Sequence, residues 1–198
     1  MSVRKIGVLG SGAVGETLAN GLLRHGYEVM RGSRDPAKLA AWKDAAGARA
    51  GTGTFAEAAV DACGTALDGK PVIDTCNALA DAPPVNGVLQ SFTGPNESLM
   101  ERLQQRVPKA KFVKSFSCVG NSLMVDPDLG GVKPTMFLCG NDAGAKTEVQ
   151  EILQKFGWEW EDLGGVEAAR AIEPLAVLWC IPGFLRNDWS RAYKVLRK

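Results

Sequence analysis

The sequence predicts an α/β fold: a doubly wound, mainly parallel sheet with a small helical segment at its C-terminal end. Three observations predict it. A glycine-rich turn, Gly10-Ser11-Gly12-Ala13-Val14-Gly15, stands between a short apolar run and a helical pattern. Short apolar runs alternate with helical patterns along the chain, the signature of β-α-β units. After Leu163 the sequence turns to apolar residues at helical spacing.

Val3 to Leu9 is apolar and ends at glycine, so it reads as a buried strand. Glu16 to His25 places Leu18, Ala19, Leu22 and Leu23 on one helical face, and Gly26 closes that helix. Tyr27 to Met30 is the second strand. Asp35-Pro36 opens a second helix, with proline suited to a first turn and aspartate to its cap. Phe55 to Ala62 reads as a short helix, and no β-branched apolar run comes after it before Pro71. Pro71 to Thr75 is a strand that ends at Cys76-Asn77. Residues 80–94 form a loop rich in proline and glycine. Glu97 to Arg106 is a helix and Lys111 to Ser117 a strand. Met136 to Cys139 is a strand, Asp142 to Phe156 a helix ended by Gly157, and Trp158 to Leu163 an edge strand. Glu167 to Leu178 is a helix interrupted at Pro174. This order is Rossmann-like: residues 1–164 make a nucleotide-binding domain. Residues 165–198 make a helical segment packed on it or on a partner subunit.

Composition bounds the function. The 198 residues suffice for one substantial domain, and the net charge of +1 gives no electrostatic reason to expect nucleic acid or a membrane surface as partner. No apolar run approaches the length of a bilayer span, and the N-terminus carries no signal-peptide pattern. The five cysteines are odd in number and lack C-x-x-C spacing, which argues against a disulfide framework and a zinc site. A cytoplasmic protein with reduced thiols is the expectation.

The glycine turn carries the chemistry. Gly10 permits the tight turn, Gly12 lets backbone approach a pyrophosphate, and Gly15 lets the helix pack on the sheet. Ser11, Ala13 and Val14 complete a loop whose N–H groups face the phosphates at a helix N-terminus. The second strand selects the dinucleotide. An NAD site offers a carboxylate to the ribose hydroxyls there. This chain shows Gly32-Ser33-Arg34 instead. Arg34 can pair a 2′-phosphate through two N–H bonds, Ser33 can donate its hydroxyl, and Lys38 adds charge one turn later. NADP(H) is therefore favoured over NAD(H).

Familiar catalytic groups are missing. Neither tyrosine has a lysine four residues on, and the single histidine, His25, stands at the far end of the first helix. No catalytic residue is assigned. Hydride transfer between two cofactors needs stacking and distance more than an acid or base. Cys76 and Cys118 stand at or just beyond strand ends, where open α/β sheets bind ligands; packing is their plainer role, and Cys180 belongs to the core. Asn77 and Ser115 also stand near strand ends.

Several segments resemble one family, the deazaflavin (coenzyme F420)-dependent NADP oxidoreductases and the related cytosolic domains of six-transmembrane metalloreductases. They are I-G-V-L-G-S-G-A-V-G, G-S-R-D-P-A-K, V-I-D-T-C-N-A-L, K-F-V-K-S-F, M-F-L-C-G-N-D and A-R-A-I-E-P-L-A-V-L-W, in family order. The resemblance implies that Ser11 to Val14 hold the pyrophosphate and that Ser33, Arg34 and Lys38 hold the 2′-phosphate. Asn77 and Ser115 would line the ribose and nicotinamide. It implies a homodimer and leaves the acceptor open; the missing acid and base favour a flavin or deazaflavin there. The chain departs from the family where it runs from A-A-V-D-A-C directly to the next strand, and where Ser117-Cys118 replaces Asn-Thr. The expected function is NADPH-dependent hydride transfer to a flavin-type acceptor; the alternatives are an NADP(H)-binding sensor or scaffold without turnover, and reduction of a small carbonyl or imine.

Overall fold

The computed structural model describes residues 4–54 and 67–198. The helix expected over Phe55 to Ala62 lies outside them. The chain divides into two compact units, Met1–Ala66 and Leu67–Lys198.

The first unit runs β1 (Lys5–Leu9), α1 (Ala13–Arg24), β2 (Glu28–Ser33), a 3-10 turn (Pro36–Leu39), α2 (Ala40–Ala46) and β3 (Ala50–Thr54). The sheet order is β1-β2-β3, and both pairings are parallel. Helix α1 buries Ala19, Leu22 and Leu23, the face its spacing predicts. Gly26 takes φ +91°, the left-handed conformation that ends helices. The Asp35 carboxylate accepts the Ala37 N–H at 3.2 Å, so it caps the turn that Pro36 begins. Strand β3, Ala-Gly-Thr-Gly-Thr, is not legible as a strand. It has little apolar surface, and its register against Val29 to Ser33 defines it.

The second unit runs β4 (Pro71–Asp74), α3 (Leu99–Arg106), β5 (Lys111–Lys114), β6 (Thr135–Leu138), α4 (Ala143–Lys155), β7 (Glu159–Asp162) and α5 (Ala169–Arg186). Strands β4 and β5 pair in parallel, as do β6 and β7. Backbone bonds from Lys114 N–H to Cys139 O (2.9 Å) and from Cys139 N–H to Lys114 O (3.4 Å) link the two pairs. Phe112, Val113, Phe116, Met136, Leu138 and Phe156 form the core of this unit. Helix α3 starts with a reciprocal capping box between Ser98 and Glu101. Asp142 caps α4 through the Ala145 N–H at 2.8 Å.

The structure corrects two expectations. Helix α5 is not interrupted at Pro174: it continues through Pro174 and Pro182 to Arg186. An interior proline costs a helix about 3 kcal/mol. Burial of the apolar Ile172, Ala176 and Trp179 on this one helix offsets that cost. In addition, Val166–Arg186 is long and apolar enough by length and composition to cross a bilayer, contrary to the expectation that no run is. Arg170 and Glu173 interrupt the run in the sequence; Glu173 is spent in a buried ion pair within this unit. Beyond α5 the chain returns along β6, with Tyr193 O accepting the Thr135 N–H at 2.8 Å.

Candidate functional site

In the first unit the glycine turn is built by β1 and α1. Gly10 takes φ +138°, a conformation other residues rarely adopt, and its N–H donates to Gly32 O at 3.0 Å. The end of β1 is thereby tied to the end of β2. Helix α1 begins at Ala13, one turn earlier than the apolar spacing suggests, with Gly12 as its cap. Its first intrahelical bond runs from Glu16 N–H to Gly12 O. The N–H groups of Ala13, Val14 and Gly15 precede that bond, and with the helix dipole they favour an anion.

The glycines differ in what a side chain would meet. A Cβ on Gly15 would stand 2.8 Å from the Gly10 carbonyl oxygen, so this position serves the fold. A Cβ on Gly12 would meet nothing within 4 Å. The space above Gly12 is open.

At the end of β2, Ser33 is buried, and its Oγ accepts the Asp35 N–H at 3.2 Å. Its hydroxyl proton remains available to donate. Arg34 and Lys38 are exposed. The Asp35 carboxylate, the acidic group nearest Arg34 in sequence, is committed to its cap.

Arg31 lies just past the expected second strand and has no role in the sequence reading, yet in the structure it belongs to β2 and is the largest buried cation of this unit, 1% exposed. Its Nη2 donates to Gly10 O at 3.3 Å and Gly12 O at 3.4 Å, and its guanidinium lies 4.9 Å from the Trp42 ring centroid. Glu16 Oε2 stands 3.6 Å from Nη1. No sequence signal marks this role, because a charged residue in a strand reads as exposed.

In the second unit, Asn77 and Ser115 stand just past the C-terminal ends of β4 and β5, which are neighbours in register at Asp74 and Lys114. Asn77 Nδ2 donates to Ser117 O at 2.8 Å. Three buried polar atoms have no hydrogen-bond partner here: Asn77 Oδ1, Ser115 Oγ and Ser117 Oγ. Such orphans are uncommon in native interiors, and a polar ligand is one way to satisfy them. A cavity of about 110 Å³ adjoins Asn77, walled by Ser91, Thr93, Arg170 and Glu173. Phe116 turns the chain after Ser115 with φ +60°, held by its buried ring against Phe156 at 6.0 Å.

Beneath these strand ends lies a buried ion cluster. Lys114 Nζ meets Asp74 Oδ2 at 2.5 Å, Glu173 Oε1 at 2.9 Å and Cys76 O at 2.7 Å. Glu173 also accepts the Leu99 and Met100 N–H groups at 3.0 Å each, where its charge meets the N-terminus of α3. Asp74 Oδ1 accepts the Cys76 N–H at 2.9 Å. The cluster fixes the strand ends that carry Asn77 and Ser115.

The thiols are poor nucleophiles. Cys76 is exposed as a residue, yet desolvation around its sulfur, then the Asp74 carboxylate, push its thiol up to about 11. Burial pushes Cys118 to about 11 and Cys139 to about 12. All three stay protonated at neutral pH, which favours packing over redox chemistry. Among the described residues no group of three or more His, Cys, Asp or Glu could hold a metal ion.

Comparison with known proteins agrees with this arrangement. The family described as NADP oxidoreductase, coenzyme F420-dependent, matches residues 5–82. A solved candidate F420-dependent NADP-reductase of Arthrobacter sp. FB24 is 31% identical, with a TM-score of 0.88 over 99% of this chain and 100% of that one. The rat metalloreductase STEAP3 is 30% identical over 197 residues, which cover 91% of this chain; the chain spans only 39% of that protein. A reductive aminase of Aspergillus terreus, solved with NADPH, is 16% identical; its TM-score of 0.62 over 94% of this chain and 64% of that one shows the fold alone. A Rossmann-like α/β fold, a glycine-rich turn between β1 and α1 and a relative matched along its whole length at this identity place the chain in the family of coenzyme F420-dependent NADP oxidoreductases, and so among the NADP-dependent oxidoreductases.

Proposed function

We propose that the chain transfers hydride between NADP(H) and a flavin- or deazaflavin-type acceptor. The observation that carries the reading is the first unit's open helix N-terminus beside a cationic strand end. Gly12 leaves room for a pyrophosphate, Arg34 and Lys38 are exposed, and Asp35 is occupied by its cap. In this reading the N–H groups of Ser11 to Gly15 bind the pyrophosphate, and Ser33, Arg34 and Lys38 bind the 2′-phosphate. Asn77 and Ser115 serve the ribose and nicotinamide; the orphaned Asn77 Oδ1 and Ser115 Oγ support this.

NADPH, when bound, supplies the hydride. The protein's residues hold the dinucleotide and orient it. A cofactor-type acceptor agrees with the site's chemistry, since Lys114 and Asp74 are locked in ion pairs and the nearby thiols are protonated.

Two measurements test the reading. Arg34→Ala should weaken NADPH binding by about 1.5–3 kcal/mol, the range for a hydrogen bond to a charged group, and leave NADH nearly unchanged. Equal losses for both nucleotides would remove the 2′-phosphate role. NADPH consumption should be measured against flavin, deazaflavin and quinone acceptors. Tight NADPH binding with no turnover of any of them would make the protein a nucleotide sensor.

A further inference from the structure

Arg31 presents a problem in charge compensation. It is 1% exposed, and a buried guanidinium needs acceptors for all its N–H groups. Its Nε has no hydrogen-bond partner. Its two bonds to Gly10 O and Gly12 O are long, 3.3 and 3.4 Å. Its acidic partner Glu16 stands 3.6 Å away and has a side chain 54% exposed, so water screens that charge. Burial lowers the pKa of Arg31 from its ordinary value, the sign of an incompletely compensated cation.

The surroundings hold the group in place nonetheless. Trp42 lies under the guanidinium at 4.9 Å, and its own Nε1 donates to Asn20 Oδ1 at 2.8 Å, which fixes the indole. Both acceptor carbonyls belong to the glycine turn. A peptide whose C=O points down toward Arg31 points its N–H the other way. Gly12, one of the two, faces open space.

We infer that Arg31 is a positioning residue for the dinucleotide: it pins the Gly10 and Gly12 carbonyls away from the pyrophosphate and sets a positive charge beneath it. The bound diphosphate completes the charge balance that Glu16 meets only in part. This inference rests on the proposed placement of NADP(H) on the glycine turn. It gives Glu16 a defined sign: a carboxylate in the first turn of α1 that competes with the diphosphate for the same cation.

Calorimetry on the full chain tests it with two ligands, NADPH and 2′-AMP, which carries the 2′-phosphate and no pyrophosphate. Arg31→Met should raise the NADPH Kd about tenfold or more, as for a lost charge-assisted contact, and leave 2′-AMP within about twofold. Glu16→Gln, at a half-exposed position, should tighten NADPH severalfold and leave 2′-AMP unchanged. Equal losses of both ligands in a folded Arg31→Met protein would reduce Arg31 to a structural role and overturn the inference. So would Glu16→Gln protein that binds NADPH as the wild type does or more weakly; this variant decides the matter alone if Arg31→Met does not fold. Wild-type protein that fails to bind NADPH would overturn the proposed placement itself, whatever the variants do.

Discussion

Replacing Lys114 by methionine keeps most of the length of the side chain and removes its charge. The Lys114 ammonium is fully buried and shared by two carboxylates, whose side chains are 3% and 5% exposed. Without it, Asp74 and Glu173 remain side by side with no counter-cation. Some compensation persists: Glu173 keeps two backbone N–H donors and Asp74 keeps one. Breaking a buried pair from one side costs about 3–5 kcal/mol, a large part of the ~5–15 kcal/mol that holds a domain folded. In urea, with a slope of about 2 kcal/mol/M, a loss of about 4 kcal/mol moves the midpoint down by about 2 M. Adding Glu173→Gln to Lys114→Met should recover part of the loss, because one stranded charge disappears. In the wild-type background Glu173→Gln should destabilise. A glutamine amide cannot accept the Leu99 and Met100 N–H groups and also face the ammonium without turning an N–H₂ toward a donor. A midpoint shift below about 0.5 M for Lys114→Met, at unchanged slope, would refute the view that this cation holds the cluster together.

The remaining predictions concern the glycine turn and acid stability. Gly12→Ala should stay within about 0.5 kcal/mol of wild-type stability, because its Cβ enters open space, yet lose NADPH binding in a fluorescence titration. Gly15→Ala should destabilise by about 1–3 kcal/mol, because its Cβ meets a backbone oxygen at 2.8 Å; calorimetric melting of the two variants with no nucleotide separates them. Glu101 should contribute to acid stability: hydrogen bonds from Arg170, then Ser98, hold its carboxyl down to about 2 from 4.5. A depressed folded-state value means that the stabilisation is complete above pH ~4.5 and fades as the pH falls through about 2. Arg170→Ala should flatten this limb, and melting temperatures at about pH 5 and pH 2.5 that drop as steeply in the variant as in the wild type would contradict it.

The elements that read correctly in the sequence are governed by near neighbours. Gly10 to Gly12 join a strand to the helix that begins at Ala13, Asp35 and Asp142 cap the helical turns that begin immediately after them, and Gly26 and Gly157 take the positive φ that ends a helix. Each depends on a few adjacent residues, so composition and spacing suffice. Strand β3 escapes such a reading because Ala-Gly-Thr-Gly-Thr has no apolar alternation; pairing with β2 makes it a strand. Helix α5 escapes it in the opposite sense, since Pro174 suggests a stop that packing overrides.

The sequence by itself determined the fold class, the glycine-rich turn and the cationic end of β2, all products of local backbone geometry and side-chain chemistry. Only the tertiary structure decided the fate of the buried charges. Arg31 joins Gly10 and Gly12 from the neighbouring strand, and Lys114 joins Asp74 and Glu173 from segments far apart in the chain. A charged side chain written in one dimension has water as its default partner. Only when folding removes the water does the choice of carbonyl, carboxylate or aromatic ring become an energetic necessity, and that choice depends on which distant segments arrive there.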